Sequence, residues 1–149
     1  MSLVEELGAN LSGLEQLRKM IAMGRRPSIA STLEFNLVEV EDGFAAFEGA
    51  PGDFVYNPIG VVHGGYAATL LDSACGCACH TKLAPGQGYT TLELKVAYHR
   101  AMTRDTGKVR AEGHVLTFGR RAAFSEAKLT DASGRLLASA TSSLLVMTP

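Results

Sequence analysis

The chain has 149 residues, enough for one domain whose core needs no disulfide or metal to hold it together. Its 14 Lys and Arg residues nearly balance 15 Asp and Glu residues, which gives no electrostatic reason to expect binding to nucleic acid or an anionic membrane. No stretch approaches the ~20 apolar residues of a membrane helix, and the N-terminus lacks a signal-peptide pattern. We therefore expect a cytoplasmic protein with a small-molecule partner, no nucleic acid and no membrane.

The first third of the chain predicts one amphipathic helix followed by a β-hairpin. Apolar residues recur at helical spacing from Leu11 to Met23, and the glycine and proline of residues 24–27 end the pattern. Residues 32–40 alternate between apolar and polar with one break in register, which predicts a strand. Residues 41–43 are typical of a hairpin turn, and Phe44 to Gly49 are expected to form the returning strand.

The middle of the chain combines a loop with one long apolar helix. Pro51 to Val62 contains several turn-forming residues and predicts a loop, of the kind that often lines a site. Gly64 to Leu83 is small and apolar on nearly every side, which predicts a buried helix. Asp72 is the one carboxylate in this helix, and burial of an acid is costly. A functional role for Asp72 would account for that cost.

The remainder of the chain predicts β-structure. Four segments of about ten residues, separated by turn signals, are expected to be strands: 89–98, 107–117, 122–131 and 136–147. Long strands that follow one buried helix favour an α+β fold in which an antiparallel sheet wraps around that helix. We therefore predict a single domain over residues 1–149, with residues 1–28 as an N-terminal helical extension.

The three cysteines all lie in the predicted helix, as Cys75, Cys77 and Cys79. Their spacing matches neither a zinc site nor a redox pair, so we expect small free thiols and no metal. Three histidines, His80, His99 and His114, are interpreted as structural or surface residues.

Three motifs stand out from Asn57 onward. One motif begins at Asn57 and ends at Asp72: Asn, five residues, His-Gly-Gly, six residues and Asp. A second is the strand TTLELKVAYHRA from Thr90, and a third is the hairpin FGRRAAFSEAKLTDASGRLLASATSSLLV from Phe118. In order and spacing, these motifs resemble the hotdog-fold acyl-CoA thioesterases of the phenylacetate-pathway type.

This resemblance implies a hotdog fold that forms a dimer, commonly a dimer of dimers, and hydrolyses acyl-CoA thioesters without a metal or cofactor, CoA being part of the substrate. In the family, the positions of Asn57 and Gly64 bind the thioester carbonyl, and that of His63 supports the loop. The position of Asp72 activates water or attacks directly, and that of Thr91 holds the water. Both roles for Asp72 remain open at this stage.

The chemistry of thioester hydrolysis fits these residue types. Gly64 and Gly65 begin the helix, where backbone N–H groups lack intrahelical partners and the dipole is positive, so they can form an oxyanion hole. The Asn57 amide can donate a second hydrogen bond, and His63 can fix that amide from beside it. The alternative for His63 and the two glycines is an ordinary loop-to-helix junction with a capping histidine.

Helix geometry constrains how these groups can cooperate. Asp72 lies eight residues after Gly64, and at ~1.5 Å per residue the two are ~12 Å apart along the helix. A reacting carbon must lie ~3 Å from both the nucleophile and the hydrogen-bond donors. One chain therefore cannot easily supply both halves of the site, whereas two antiparallel helices across a two-fold axis can supply two composite sites.

Four further residues are candidates for substrate binding. Phe54 and Tyr66 are expected to line the acyl pocket, although the acyl group cannot be read from the sequence. Arg120 and Arg121 occupy a predicted hairpin turn, where they are either solvated or bound to the CoA phosphates. Two rival functions are a hotdog acyl-CoA sensor without turnover and a hydratase on the same fold, which would need a histidine and acid pair on the helix.

Overall fold

The computed structural model describes all residues from Met1 to Pro149. It contains four α-helices, one 3-10 helix and six strands, in the order α1 (Leu3–Gly8), α2 (Gly13–Ala22), α3 (Ser28–Leu33), β1 (Phe35–Glu41), β2 (Phe44–Gly49), the 3-10 helix (Asp53–Val55), α4 (Gly64–His80), β3 (Gly88–Tyr98), β4 (Val109–Phe118), β5 (Ala122–Asp131) and β6 (Leu136–Met147). No helix combines the length and the apolar character needed to cross a membrane.

The six strands form one antiparallel sheet in the order β1-β2-β4-β5-β6-β3. The sheet wraps around α4, which packs against β2, β3, β4, β5 and β6. This arrangement confirms the predicted hotdog fold. Strand β3 forms one edge of the sheet and pairs only with β6, so the backbone groups along its other side face no strand of the same chain.

Small residues let the sheet approach the helix closely. A Cβ atom added to Gly113 on β4 would overlap the backbone carbonyl of Ala74 on α4. Strand β5 shows the matching alternation, with Ala123, Ser125 and Ala127 buried toward the helix and their neighbours exposed. Small residues of α4 such as Ala74 are therefore explained by close packing of the helix backbone against the strand backbone.

The N-terminal region contains three helices where the sequence predicts one. The predicted helix is α2, but α1 precedes it and α3 occupies the start of the expected first strand, so that β1 begins at Phe35. Capping boxes begin both α1 and α2, with the side chains of Ser2 and Ser12 accepting hydrogen bonds from the backbone of Glu5 and Glu15. Helices of six residues show too few turns for periodicity to reveal them.

The remaining elements agree with the predicted pattern, with small differences at their ends. Helix α4 begins at Gly64 as expected and ends at His80, three residues before the predicted Leu83. The break in register of the first strand is a β-bulge between Leu37 and Glu39. Strand β4 begins at Val109 rather than Gly107.

Candidate active site

The first turn of α4 presents one free backbone donor. His63 is the N-cap residue, and its Nδ1 accepts a hydrogen bond of 2.8 Å from the N–H of Gly65. The N–H of Gly64 makes no hydrogen bond within the chain. Because the positive end of the helix dipole lies here, the Gly64 N–H is suited to a developing oxyanion. His63 thus caps α4 through the Gly65 N–H, and the Gly64 N–H is left without a partner in the chain.

Tyr98, at the end of β3, lies directly over Gly64. Its hydroxyl donates a hydrogen bond of 2.7 Å to the Gly64 carbonyl oxygen. A Cβ atom added to Gly64 would lie 3.0 Å from the Tyr98 ring, which is tighter than normal packing allows. A cavity of about 270 Å³ opens beside these two residues, between Val62 and the segment from Tyr98 to Met102. A side chain at position 64 would therefore press on the ring of Tyr98, a residue distant in sequence.

Asn57 lies in the loop before α4, where its side-chain oxygen is already engaged. Its Oδ1 accepts hydrogen bonds from the backbone N–H groups of Ile59 (3.1 Å) and Val61 (3.2 Å). These two bonds hold the amide, whereas the sequence assigns that role to His63. The Asn57 NH₂ group makes no hydrogen bond within the chain and remains free to donate to a ligand.

The structure brings Asp72 and Thr91 together. Asp72 is half-buried in the middle of α4, and Thr91 lies on the inner face of β3. The Thr91 hydroxyl donates a hydrogen bond of 3.0 Å to Asp72 Oδ1. This bond fixes the carboxylate, leaves Oδ2 free, and leaves the hydroxyl oxygen able to accept a hydrogen bond from water. A β-bulge follows Thr91 directly, a feature common beside active sites.

Asp72 and Thr91 also line a cavity of about 300 Å³. Tyr89 and Cys77 share this cavity, and burial raises the pKa of both side chains, helped by the negative charge of Asp72. The pKa of the Cys77 thiol rises to about 12, so this group is neutral at pH 7 and is not a nucleophilic thiolate. All three cysteines are free, and Cys75 and Cys79 are buried.

His80 lies at the far end of the same cavity but does not pair with Asp72. It is buried, and its Nε2 lies 2.8 Å from Oε1 of Gln16 on α2. Burial lowers the pKa of His80 to about 4, so the ring is neutral at pH 7. The histidine and acid pair that a hydratase would need on this helix is therefore not formed.

The structure places the other four substrate-binding candidates apart from Asp72. Phe54 is exposed at the surface, outside both cavities described above. Tyr66 is buried in the core, where its hydroxyl has no hydrogen-bond partner. Arg120 and Arg121 form the turn between β4 and β5, beside a surface groove that also includes the end of β6.

Two tyrosines near the site were not among the sequence candidates. Tyr89 lies two residues before Thr91 on the same face of β3, so strand periodicity alone could have indicated it. Tyr98 carried no such signal, because its contact with Gly64 joins residues that are 34 positions apart. Only the folded chain shows that this ring covers the start of α4.

The fold and the site together define a class of protein: a hotdog domain with a carboxylate and hydroxyl pair at mid-helix and a free N–H at the helix start. A profile of the Thioesterase superfamily matches residues 59–138, more than half of the chain. The chain belongs to this superfamily and is a thioester hydrolase.

Two proteins of similar sequence are named as a thioester hydrolase and a thioesterase. A 1,4-dihydroxy-2-naphthoyl-CoA hydrolase of Listeria monocytogenes is 28% identical over 109 residues, covering 73% of this chain and 87% of the relative. The proofreading thioesterase EntH of Klebsiella pneumoniae is 32% identical over 80 residues, covering 54% of this chain and 57% of the relative.

Solved structures agree with the fold. A conserved protein of Pseudomonas aeruginosa is 29% identical, with a TM-score of 0.76 and coverage of 82% of this chain and 95% of the other. A phenylacetic acid degradation-related protein of Ralstonia eutropha is 25% identical, with a TM-score of 0.75 and coverage of 85% and 96%. This similarity includes the N-terminal side of the hotdog domain as well as the matched profile.

Proposed function

We propose that two copies of this chain together hydrolyse acyl-CoA thioesters to a carboxylic acid and free CoA. The observation that carries the composite site is the placement of its two halves on one helix. The free N–H of Gly64 and the carboxylate of Asp72 are eight residues apart on α4, or ~12 Å along the axis. Both groups can reach one carbonyl only if they come from different copies.

The free edge of β3 is the place we propose for the joining of two copies. This strand has eleven residues, and none of them is buried in the single chain. An unpaired strand of this length is a template for pairing with another chain. Antiparallel pairing of two β3 strands would continue the sheet and set the two α4 helices side by side in opposite directions. The Gly64 end of one helix would then lie toward Asp72 of the other.

The reaction follows from these groups. The Gly64 N–H of one copy, with the Asn57 NH₂, binds the thioester oxygen and stabilises the oxyanion that forms there. Asp72 of the other copy, held by Thr91, accepts a proton from the water that attacks the carbonyl carbon. The C–S bond then breaks, and the departing CoA thiolate takes the proton from Asp72. This scheme uses protein groups and water alone, and we propose no cofactor.

Direct attack by Asp72 is the alternative to general-base catalysis, and an isotope experiment separates the two. A single turnover in water labelled with oxygen-18 is followed by mass spectrometry of the product acid and of the peptide that carries Asp72. Label in that peptide indicates an acyl-aspartyl anhydride. Label confined to the product acid favours water attack with Asp72 as the base.

Arg120 and Arg121 are proposed to bind the CoA phosphates. Neither residue forms a salt bridge within the chain, and both border a surface groove at the end of β6. Residue Thr90 on β3 pairs with Leu145 of that same strand end, so the groove lies at the Thr91 end of the sheet. Replacement of both arginines by Ala should raise KM for acyl-CoA and leave KM for the acyl-pantetheine thioester unchanged.

The location and assembly of the protein are further proposals. Three cysteines that remain free thiols within one helix are typical of a reducing compartment, which supports a cytoplasmic location. We further propose a dimer, with association of two dimers as its larger form. Analytical ultracentrifugation across a range of concentrations measures both states.

Release of free thiol from a panel of acyl-CoAs tests the activity itself. The panel includes aryl-CoAs, because the names of the Listeria and Ralstonia relatives refer to aryl compounds, together with short and medium alkyl acyl-CoAs. Wild-type protein should release thiol from at least one substrate, and Asp72→Ala should not. If both proteins bind acyl-CoA but neither releases thiol from any substrate, the protein is a sensor rather than an enzyme.

A mixing experiment tests the composite site. Asn57→Ala and Asp72→Ala chains are each expected to be inactive, and they are unfolded together and refolded in equal amounts. Half of the random dimers then pair one chain of each kind, and each such dimer contains one intact site, so about a quarter of the wild-type sites return. Absence of recovery in a mixture that forms dimers would argue against shared sites.

A further inference from the structure

The cavity that begins at Asp72 and Thr91 ends on the N-terminal helices. Its apolar wall includes Leu3 and Val4 from α1, and Leu17 and Met20 from α2. Behind them, Phe35 of β1 and Phe47 of β2 complete the wall. The helices α1 and α2 and strand β1 lie outside residues 59–138, the segment that matches the superfamily profile. One side of this cavity therefore carries Asp72 and Thr91, and the other side carries side chains of the N-terminal extension, residues 1–28.

The wall is fixed firmly to the rest of the domain. Gln16 joins three elements, because its Nε2 donates a hydrogen bond of 2.9 Å to the Gly8 carbonyl while its Oε1 meets His80. A Cβ atom added to Gly13 would overlap the His80 carbonyl oxygen, so α2 rests directly on the end of α4. Lys19 also donates a hydrogen bond of 2.6 Å to the carbonyl of Leu7. These contacts hold α1 and α2 at a set distance from Asp72.

We infer that this cavity receives the acyl group of the substrate, and that α1 and α2 set the size of the acyl group through Val4 and Met20. The inference rests on the proposed thioesterase function. When the thioester carbonyl lies next to Asp72, the cavity opens beside it. The acyl group therefore occupies a cavity of the same copy that supplies the carboxylate. Val4 and Met20 are thus specificity-determining residues.

The lining fits an uncharged aryl group of one or two rings. Cavities of about 150 Å³ lined by apolar side chains hold benzene, and this one has about 300 Å³. Phe35 and Phe47 meet edge to face, with ring centroids 5.8 Å apart, and form a buried aromatic part of the cavity wall. His80 and Cys77 are both neutral at pH 7, so the far end offers no charge for a second carboxylate.

Widening the wall should shift the substrate preference toward larger acyl groups. Met20→Ala shortens a buried side chain in the cavity wall. Met23→Ala is the matched control, because Met23 is the C-cap residue of the same helix and is exposed. We compare kcat/KM for naphthoyl-CoA and benzoyl-CoA. Met20→Ala should raise the ratio of naphthoyl to benzoyl about tenfold, and Met23→Ala should leave it unchanged.

Narrowing the wall should have the opposite effect at a site that tolerates substitution. Val4 is 38% exposed, so Val4→Trp is expected to fold even if Met20→Ala is unstable. Ile29→Trp is its control, because Ile29 is exposed on α3 and does not line the cavity. Val4→Trp should lower the naphthoyl to benzoyl ratio about tenfold. Free naphthoate should likewise inhibit Val4→Trp less than Ile29→Trp.

The outcomes separate this inference from the proposed function. If wild-type protein releases thiol and neither Val4→Trp nor a folded Met20→Ala changes the ratio, the acyl pocket lies elsewhere and the thioesterase function stands. If wild-type protein releases no thiol from any acyl-CoA, the proposed function is wrong. In that case, naphthoate binding measured by calorimetry, weaker in Val4→Trp than in Ile29→Trp, would still support the pocket, and equal binding would overturn it.

Discussion

The start and the middle of α4 both present polar groups on an apolar helix, but they do so in different ways. At the start, the proposed functional group is the backbone N–H of Gly64, which lies beside the cap of His63 and the hydroxyl of Tyr98. At the middle, the proposed functional group is the Asp72 side chain, half-buried and held by Thr91. The first depends on the absence of side chains, and the second depends on the partners of a single side chain.

This difference determines how each half can fail. In the proposed mechanism, removing the Asp72 side chain deletes the reactive group itself, whereas adding a side chain at Gly64 obstructs a donor that remains present. A carboxylate that takes a proton is also used differently from a donor that stabilises charge.

The largest loss is expected at the middle of the helix. Asp72→Asn keeps the shape and can keep the hydrogen bond from Thr91, but it removes the base or nucleophile. We expect kcat to fall about 10³-fold, as measured by thiol release at saturating acyl-CoA. Asp105→Asn in the exposed turn before β4 is the matched control and should retain full activity. Near-normal kcat in Asp72→Asn would remove Asp72 from the reaction.

A smaller loss is expected at the helix start. In Gly64→Ala the added Cβ lies 3.0 Å from the Tyr98 ring, so the ring or the first turn must give way, and the new methyl group narrows the approach of a carbonyl to the N–H donor. We expect kcat/KM to fall about 10²-fold, the usual effect of losing one oxyanion donor. Gly52→Ala in the preceding loop is the control, because its Cβ would meet Phe54 at an ordinary 3.5 Å. Equal activity of both variants would show that the start of α4 does not bind the carbonyl.

The free energy of unfolding should depend on pH through His80, which lines the same cavity as Asp72. The pKa of His80 falls from 6.5 to about 4 on folding, because the ring is buried. As the pH falls, His80 therefore takes up a proton in the unfolded chain before it does so in the folded chain. The stability that comes from keeping His80 neutral is present above pH 6.5 and is lost as the pH falls toward 4. We expect a loss of about 2 kcal/mol between pH 7 and pH 5.

Urea unfolding at one fixed protein concentration measures this loss. His80→Gln should reduce the dependence on pH, whereas His114→Gln, an exposed control on β4, should show the wild-type slope. If His80→Gln keeps the full wild-type slope, other groups cause the acid sensitivity of the fold.

The smallest effect concerns the hydrogen bond between Thr91 and Asp72. Thr91→Val preserves the shape and removes the hydroxyl, so the carboxylate and its water lose one fixed contact. We expect kcat to fall about tenfold, the equivalent of one hydrogen bond to a charged group. Thr141→Val on the exposed face of β6 is the control and should not change kcat. An unchanged kcat in Thr91→Val would leave Thr91 with a structural role alone.

Much of the fold could be predicted from the sequence because its signals are local. The hairpin from Phe44, the long apolar helix from Gly64 and the strands from Ala122 and Leu136 all begin where periodicity and turn residues place them. Helices α1 and α3 could not be found in this way, because six residues give less than two turns of pattern.

The residues of the candidate site could be proposed from the sequence, but their contacts only in part. The motif from Asn57 to Asp72 indicated a helix start and an acid, and Thr91 was proposed through family resemblance. The hydrogen-bond partners were harder to foresee, because each polar group has several candidates nearby and in other elements. Asn57 bonds to its own loop rather than to His63, and Tyr66 lies in the core.

The sequence by itself determined one buried helix that carries a glycine start and a single acid eight residues later, since both spacings are properties of consecutive residues. The tertiary structure alone decided what surrounds them: Tyr98 over the first turn, Thr91 on the carboxylate, and the N-terminal helices at the end of the cavity. These contacts join segments far apart in the chain. They depend on how the sheet curves around α4 and on where α2 rests against its end, and neither is encoded in a local pattern.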